Sequence, residues 1–141
     1  MRIKYESLRP YKYRVLETAI FQTPITPVAA IHQRYWEMGL DGTLIVHYGY
    51  AWDGPSGPTL DRWSRSAMRA SLPHDVFYQA IRLGLLPNFV KGAADGYFRK
   101  LCLEDGMSKT RAGLWYTALD LFGSRRARPL ASDKPQVLEA P

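Results

Sequence analysis

Eight residues, Trp52-Asp53-Gly54-Pro55-Ser56-Gly57-Pro58-Thr59, constrain this chain more than any other stretch. Two glycines and two prolines so close together cannot propagate a helix, and proline is kept out of inner strands. The spacing of apolar residues changes across this segment. Before it, Leu44, Val46 and Tyr48 alternate with Ile45, His47 and Gly49; after it, apolar positions recur in helical steps. A chain that changes period once, at one breaker, is expected to be α+β. The expected plan is a single α+β domain over residues 1–124. N-terminal antiparallel hairpins or a small sheet fill 1–52, a loop spans 53–60, and three or four helices occupy 61–123. Residues 125–141, with three prolines and little apolar content, read as a flexible basic tail.

Residues 11–23 carry β-branched and aromatic side chains and end at Pro24. Gln33–Met38 and Thr43–Ala51 flank Gly39-Leu40-Asp41-Gly42, a hairpin with a glycine-containing turn. Apolar residues on both faces of the second arm predict cover on both sides. In the helical part, Thr59 or Asp61 caps a helix to about Ser71, and Ser71 and Pro73 restart it as a second helix to Leu83. Gly84–Asn88 is a turn, a third helix covers about 89–104 and stops near Gly106, and Ser108 caps a fourth that ends at Gly123.

The net charge is +6, from 19 basic and 13 acidic residues. Arg62, Arg65 and Arg69 share a helical spacing and read as a solvated face; Arg125, Arg126 and Arg128 read as part of a charged tail. There is no zinc-finger spacing, aromatic RNA-binding signature or heptad, so no specific nucleic-acid signature. No run nears the roughly 18 apolar residues of a transmembrane segment. Met1–Tyr5 opens no signal peptide. Cys102 is alone, which excludes an intrachain disulfide, and its apolar stripe predicts a core position.

The residues richest in chemistry are His74, Asp75 and Asp95. His74 and Asp95 lie equally far from the turn at 84–85, so they sit at one height on antiparallel neighbouring helices. His74, Tyr78 and Ile81 form one stripe, and Asp95, Phe98 and Cys102 another, so the imidazole and the carboxylate are expected to meet in the seam. A carboxylate there holds the imidazole tautomer and raises its basicity. Asp75 points about 100° away and is placed to hold a cation instead. The Gly/Pro loop upstream offers backbone carbonyls, the Asp53 carboxylate and the Ser56 hydroxyl, oxygen ligands suited to calcium. The same residues also serve a purely architectural role: a buried clasp between helices and a rigid β-to-α connector. His32 and His47 complete a zinc set only where the fold carries them to His74.

Two resemblances rest on these residues. Asp53-Gly54-Pro55-Ser56-Gly57-Pro58, His74-Asp75-Val76-Phe77-Tyr78 and Ala94-Asp95-Gly96-Tyr97-Phe98 resemble the ordered motifs of a family of short phage and prophage proteins classed as a domain of unknown function. That likeness covers about residues 40–106 and implies a phage origin, in the host cytoplasm or the virion. The helix pair over 74–98 also resembles phospholipase A₂ domains, the cysteine-free type of parvovirus capsid proteins above all. This second likeness implies His74 as the base that activates water, Asp95 as the carboxylate that orients it, and Tyr78 as its support. Asp75 is then the calcium ligand; the reading of the loop, apart from this likeness, adds Asp53 as a ligand, with Trp52, Gly54 and Ser56 in support. Calcium would polarise the ester carbonyl of an anionic phospholipid. The loop here is poorer in glycine than the phospholipase calcium loop, and the β-rich first third has no counterpart there. The alternatives are a zinc-dependent cell-wall hydrolase, or a non-enzymatic virion, tail-assembly or host-interaction protein whose partners are phage structural proteins.

Overall fold

The computed structural model describes residues 3–7, 13–55 and 65–127. Seven strands precede three helices: β1 (Tyr5–Ser7), β2 (Tyr13–Val15), β3 (Ala19–Gln22), β4 (Ile31–His32), β5 (Trp36–Met38), β6 (Thr43–Val46), β7 (Ala51–Trp52), α1 (Arg65–Arg82), α2 (Lys91–Glu104) and α3 (Lys109–Ala127). The fold is α+β, with all strand pairing antiparallel. One sheet has the order β1-β2-β7 and the other β3-β6-β5-β4.

The expected hairpin forms as β5 and β6, pairing Trp36 with Val46 and Met38 with Leu44. Gly42 holds its turn at φ +86°, and a Cβ there would lie 2.5 Å from the Thr23 carbonyl oxygen. The second arm is shorter than the expected 43–51: β6 ends at Val46, a turn follows, and Ala51–Trp52 joins β2 in the other sheet. Cover on both faces is a second correction. Phe21, Leu44, Val46, Trp36, Met38 and Ile31 are buried, whereas the opposite face carries the exposed Ile20 and half-buried Ile45 and Glu37. The period of two separates the faces, and only one meets the helices.

Pro73 sits inside α1, which runs unbroken from Arg65 to Arg82. The expected restart at Ser71 does not occur. Proline removes one backbone donor and crowds the preceding turn, at about 3 kcal/mol. Two anchors on either side of it hold the helix to the sheets. Trp52 Nε1 donates to Ser71 Oγ at 2.9 Å, and Ser71 Oγ donates to the Met68 carbonyl at 2.7 Å. Six residues beyond Pro73, Gln79 Oε1 accepts from Trp36 Nε1 at 3.2 Å and from the Tyr50 hydroxyl at 3.3 Å. Ala70, Leu72, Val76, Phe77 and Ala80 are buried along the same stretch, and burial of that extent outweighs one lost backbone bond.

Gly84, at φ +74°, closes α1, and a short 3₁₀ turn (Asn88–Val90) leads into α2. Gly106, at φ +95°, closes α2 as expected, with the Met107 amide bonded to the Cys102 carbonyl. Ser108 caps α3, its Oγ accepting from the Arg111 amide at 3.2 Å. Gly123 does not end α3, which continues to Ala127, so the helical part extends past the expected limit at 123. Thr59, Asp61 and Arg62, the last in the proposed solvated face, lie outside the described residues. Arg69 is no solvated arginine: its side chain is only 11% exposed and grips Asp105 and Glu104 at the end of α2.

Candidate active site

α1 and α2 are antiparallel neighbours, and their seam brings His74 and Asp95 together as the turn position predicts. His74 Nε2 lies 2.7 Å from Asp95 Oδ1. The Tyr78 hydroxyl donates to the same oxygen at 2.6 Å, one helical turn beyond His74. The His74 ring packs against Tyr78, centroids 4.1 Å apart, and edge-on to Phe98 at 5.2 Å. The side chains of His74 and Asp95 are 7% and 2% exposed.

Lys91 completes the arrangement, and the sequence reading missed it. Its ammonium donates to Asp95 Oδ2 at 2.7 Å and to the Leu119 backbone carbonyl at 3.0 Å. The i, i+4 spacing of Lys91 and Asp95 was a visible signal. The contribution of α3 was not, because it is a main-chain group brought in by tertiary packing. Asp95 thus accepts from three side chains on two helices, while Lys91 ties the third helix to it.

Burial pushes the Asp95 carboxyl up, but the hydrogen bonds from His74, Lys91 and Tyr78 and the charge of His74 together hold it below the usual carboxylate range. It is therefore a carboxylate at neutral pH and can only accept. The proton between it and His74 belongs to Nε2, so in the neutral imidazole the ring lone pair is on Nδ1.

The other expected site residues are dispersed. Asp75 is half-buried and is not among the side chains bonded to Asp95; Asp53 is exposed at the end of β7. Gly54, buried at φ +77°, has the Tyr13 ring 2.6 Å from where a Cβ would stand. Trp52 is buried against Tyr5 and Tyr13, with its indole N–H on Ser71. Both therefore build the junction of sheet and helix. Ser56 lies outside the described residues. His32 Nδ1 and His47 Nε2 flank Glu37 on the sheet, 3.7 and 3.6 Å from one carboxylate oxygen, instead of joining His74. Among the described residues no three His, Cys, Asp or Glu side chains are arranged to hold a metal ion. These donors fit neither the expected zinc set nor a calcium site built on side chains. Cys102 is buried in the core, as its stripe predicts.

No helix among the described residues is long and apolar enough to cross a membrane. Searches of family models, curated proteins and solved structures found no match to this chain.

Proposed function

We propose that this is a phage-encoded ester hydrolase, acting on phospholipid, in which His74 is the general base and Asp95 its orienting carboxylate. The observation that carries the reading is the 2.7 Å contact between His74 Nε2 and Asp95 Oδ1, with Tyr78 and Lys91 holding the carboxylate in place. In the reaction, His74 Nδ1 takes a proton from water and the water oxygen bonds to the ester carbonyl carbon. The imidazolium formed is balanced by Asp95. Collapse of the tetrahedral intermediate breaks the carbon–oxygen bond to the alcohol, which leaves with the proton from Nδ1. Every step is carried by this chain's own residues.

The test is fatty-acid release from phosphatidylglycerol vesicles, with and without added calcium, by the full chain and by His74→Asn. Turnover by the wild type that His74→Asn abolishes, with its circular dichroism unchanged, supports the proposal. No turnover on a panel of lipid and soluble esters, or equal turnover by the variant, overturns it.

Burial favours a second reading. With so little of His74 exposed and all three helices tied through Asp95 and Lys91, the network also serves as a clasp. The protein would then be a virion, tail-assembly or host-interaction component. On that reading His74→Asn lowers stability by about 1–3 kcal/mol, and the wild type shows no turnover.

A further inference from the structure

A groove of about 430 Å³ lies between the segment 26–33 and the turn joining α1 to α2. Two side chains on its banks stand out of the surface, Val28 fully exposed on one and Phe89 85% exposed on the other. Large apolar side chains so exposed beside a concavity mark an interaction surface more often than a bare one. None of the lining residues belongs to the His74–Asp95 pair.

The absence of charge narrows the occupant. Charged residues make up 23% of the chain, yet one bank belongs to residues 18–33, its longest run without Asp, Glu, Lys or Arg. The other bank belongs to 83–90, which has none either. The fold sets the two runs side by side, and no Asp, Glu, Lys or Arg lines the groove. His32 is the one titratable side chain in the lining, and it sits beside Glu37. Such a patch offers an acidic or basic partner no counter-charge, and would leave the partner's own charges desolvated and unpaired. A second copy of this chain meets neither cost. Two chains of net charge +6 repel over much of their surface, but here uncharged surface meets the same uncharged surface. The shape agrees. A pair closed about a twofold axis needs one self-complementary patch on each copy, and this patch carries both a projecting aromatic ring and a concavity. An aromatic anchor amid depleted charge is also the composition of an interface core.

We propose that this chain forms a twofold-symmetric dimer through the groove, with Phe89 of each copy seated in the groove of the other against its Val28. The proposal is independent of the chemistry assigned to His74, and association is read without turnover. The full chain is followed by sedimentation equilibrium from about 1 μM to about 1 mM, the span of weak to moderate association. The expected mass rises with concentration from 16.1 kDa toward twice that value and no further. Val28→Asp and Phe89→Lys should each weaken association at least about tenfold, the value of an apolar side chain removed from the contact. Both positions are exposed, so circular dichroism should be unchanged, and Phe89→Leu should retain most of the affinity. An equimolar mixture of the Val28→Asp and Phe89→Lys chains should associate more tightly than either alone. In that pair, positions 28 and 89 carry opposite charges across one contact, and the other contact keeps its valine and phenylalanine. A monomer throughout the range overturns the proposal, whether or not an uncharged hydrocarbon such as octanol enters the groove. Undiminished association of the single variants, or a mixture no tighter than its components, overturns it as well.

Discussion

Replacing Asp95 by asparagine separates the charge of the buried network from its shape. The carboxylate accepts from His74 and Tyr78 on Oδ1 and from Lys91 on Oδ2. An amide offers one acceptor and one donor in the same space. Turned so that its oxygen keeps His74 and Tyr78, it aims its NH₂ group at the Lys91 ammonium; turned the other way, it sets a donor against two donors. The first arrangement costs less. It loses one charge-assisted bond, worth about 1.5–3 kcal/mol, and leaves a cation facing a donor in the seam. Removing one partner of a fully buried ion pair costs about 3–5 kcal/mol. Lys91 is 15% exposed and keeps the Leu119 carbonyl, so the expected cost here is lower, about 2–4 kcal/mol. For a chain of this length that is a fall in Tm of about 7–15 °C.

Urea denaturation of Asp95→Asn, Lys91→Met and the double variant provides the assay. The double variant should be more stable than the sum of the single losses predicts, by about 1–2 kcal/mol, because the ammonium and the donor no longer oppose each other. The pH dependence follows from the direction of the shift. Asp95 is more acidic folded than unfolded, so its contribution is present above the unfolded value and is lost as pH falls through the lower folded one. The gap between wild type and Asp95→Asn should therefore be full at neutral pH and close below about pH 4. A variant within about 0.5 kcal/mol of wild type, an additive double variant, or a gap independent of pH would refute the electrostatic account.

Two further outcomes follow from the core. Burial, with the nearby Asp105 charge, pushes the Cys102 thiol up to about 12, so native protein at pH 8 should react with iodoacetamide only as fast as it opens; rapid alkylation of the folded chain would contradict this. The folded thiol stays neutral where the unfolded one ionises, so between about pH 9 and 12 wild type should lose stability relative to Cys102→Ala, by about 1.4 kcal/mol per pH unit, measured by urea titration. Ser71→Ala leaves the buried Trp52 indole N–H without its acceptor and should cost about 1–3 kcal/mol; an unchanged midpoint would mean that this anchor does not hold α1 to the sheet.

The dyad was legible because Gly84 fixes the turn, and a turn fixes which residues of two antiparallel helices share a height. Lys91 was not legible in its role. A lysine in the first turn of a helix reads as solvated and opposes the helix dipole; its i, i+4 pairing with Asp95 is local, whereas its bond to the Leu119 carbonyl depends on the arrival of α3. Pro73 misled for a related reason. Local rules end a helix there, whereas Trp52, 21 residues away from it in sequence, and Trp36 and Tyr50, still further, hold the two halves in line. Gly123 likewise reads as a stop, yet α3 continues to Ala127. Chain reversals and face periodicity are local and were readable. The anchor between the Trp36 indole and Gln79, 43 residues apart, is not.

The contact between Lys91 and Leu119 has a consequence for how this chain tolerates change. The group that Leu119 lends to the network is its backbone carbonyl, which every residue except a helix breaker supplies equally well. Side-chain identity at 119 is therefore free to drift within what packing allows, while the continuity of the third helix is not. Alanine at 119 would cost buried packing yet leave that carbonyl in place; a proline four residues on, which withdraws the regular helix path around the carbonyl, would be felt at Asp95 and so at the imidazole it orients.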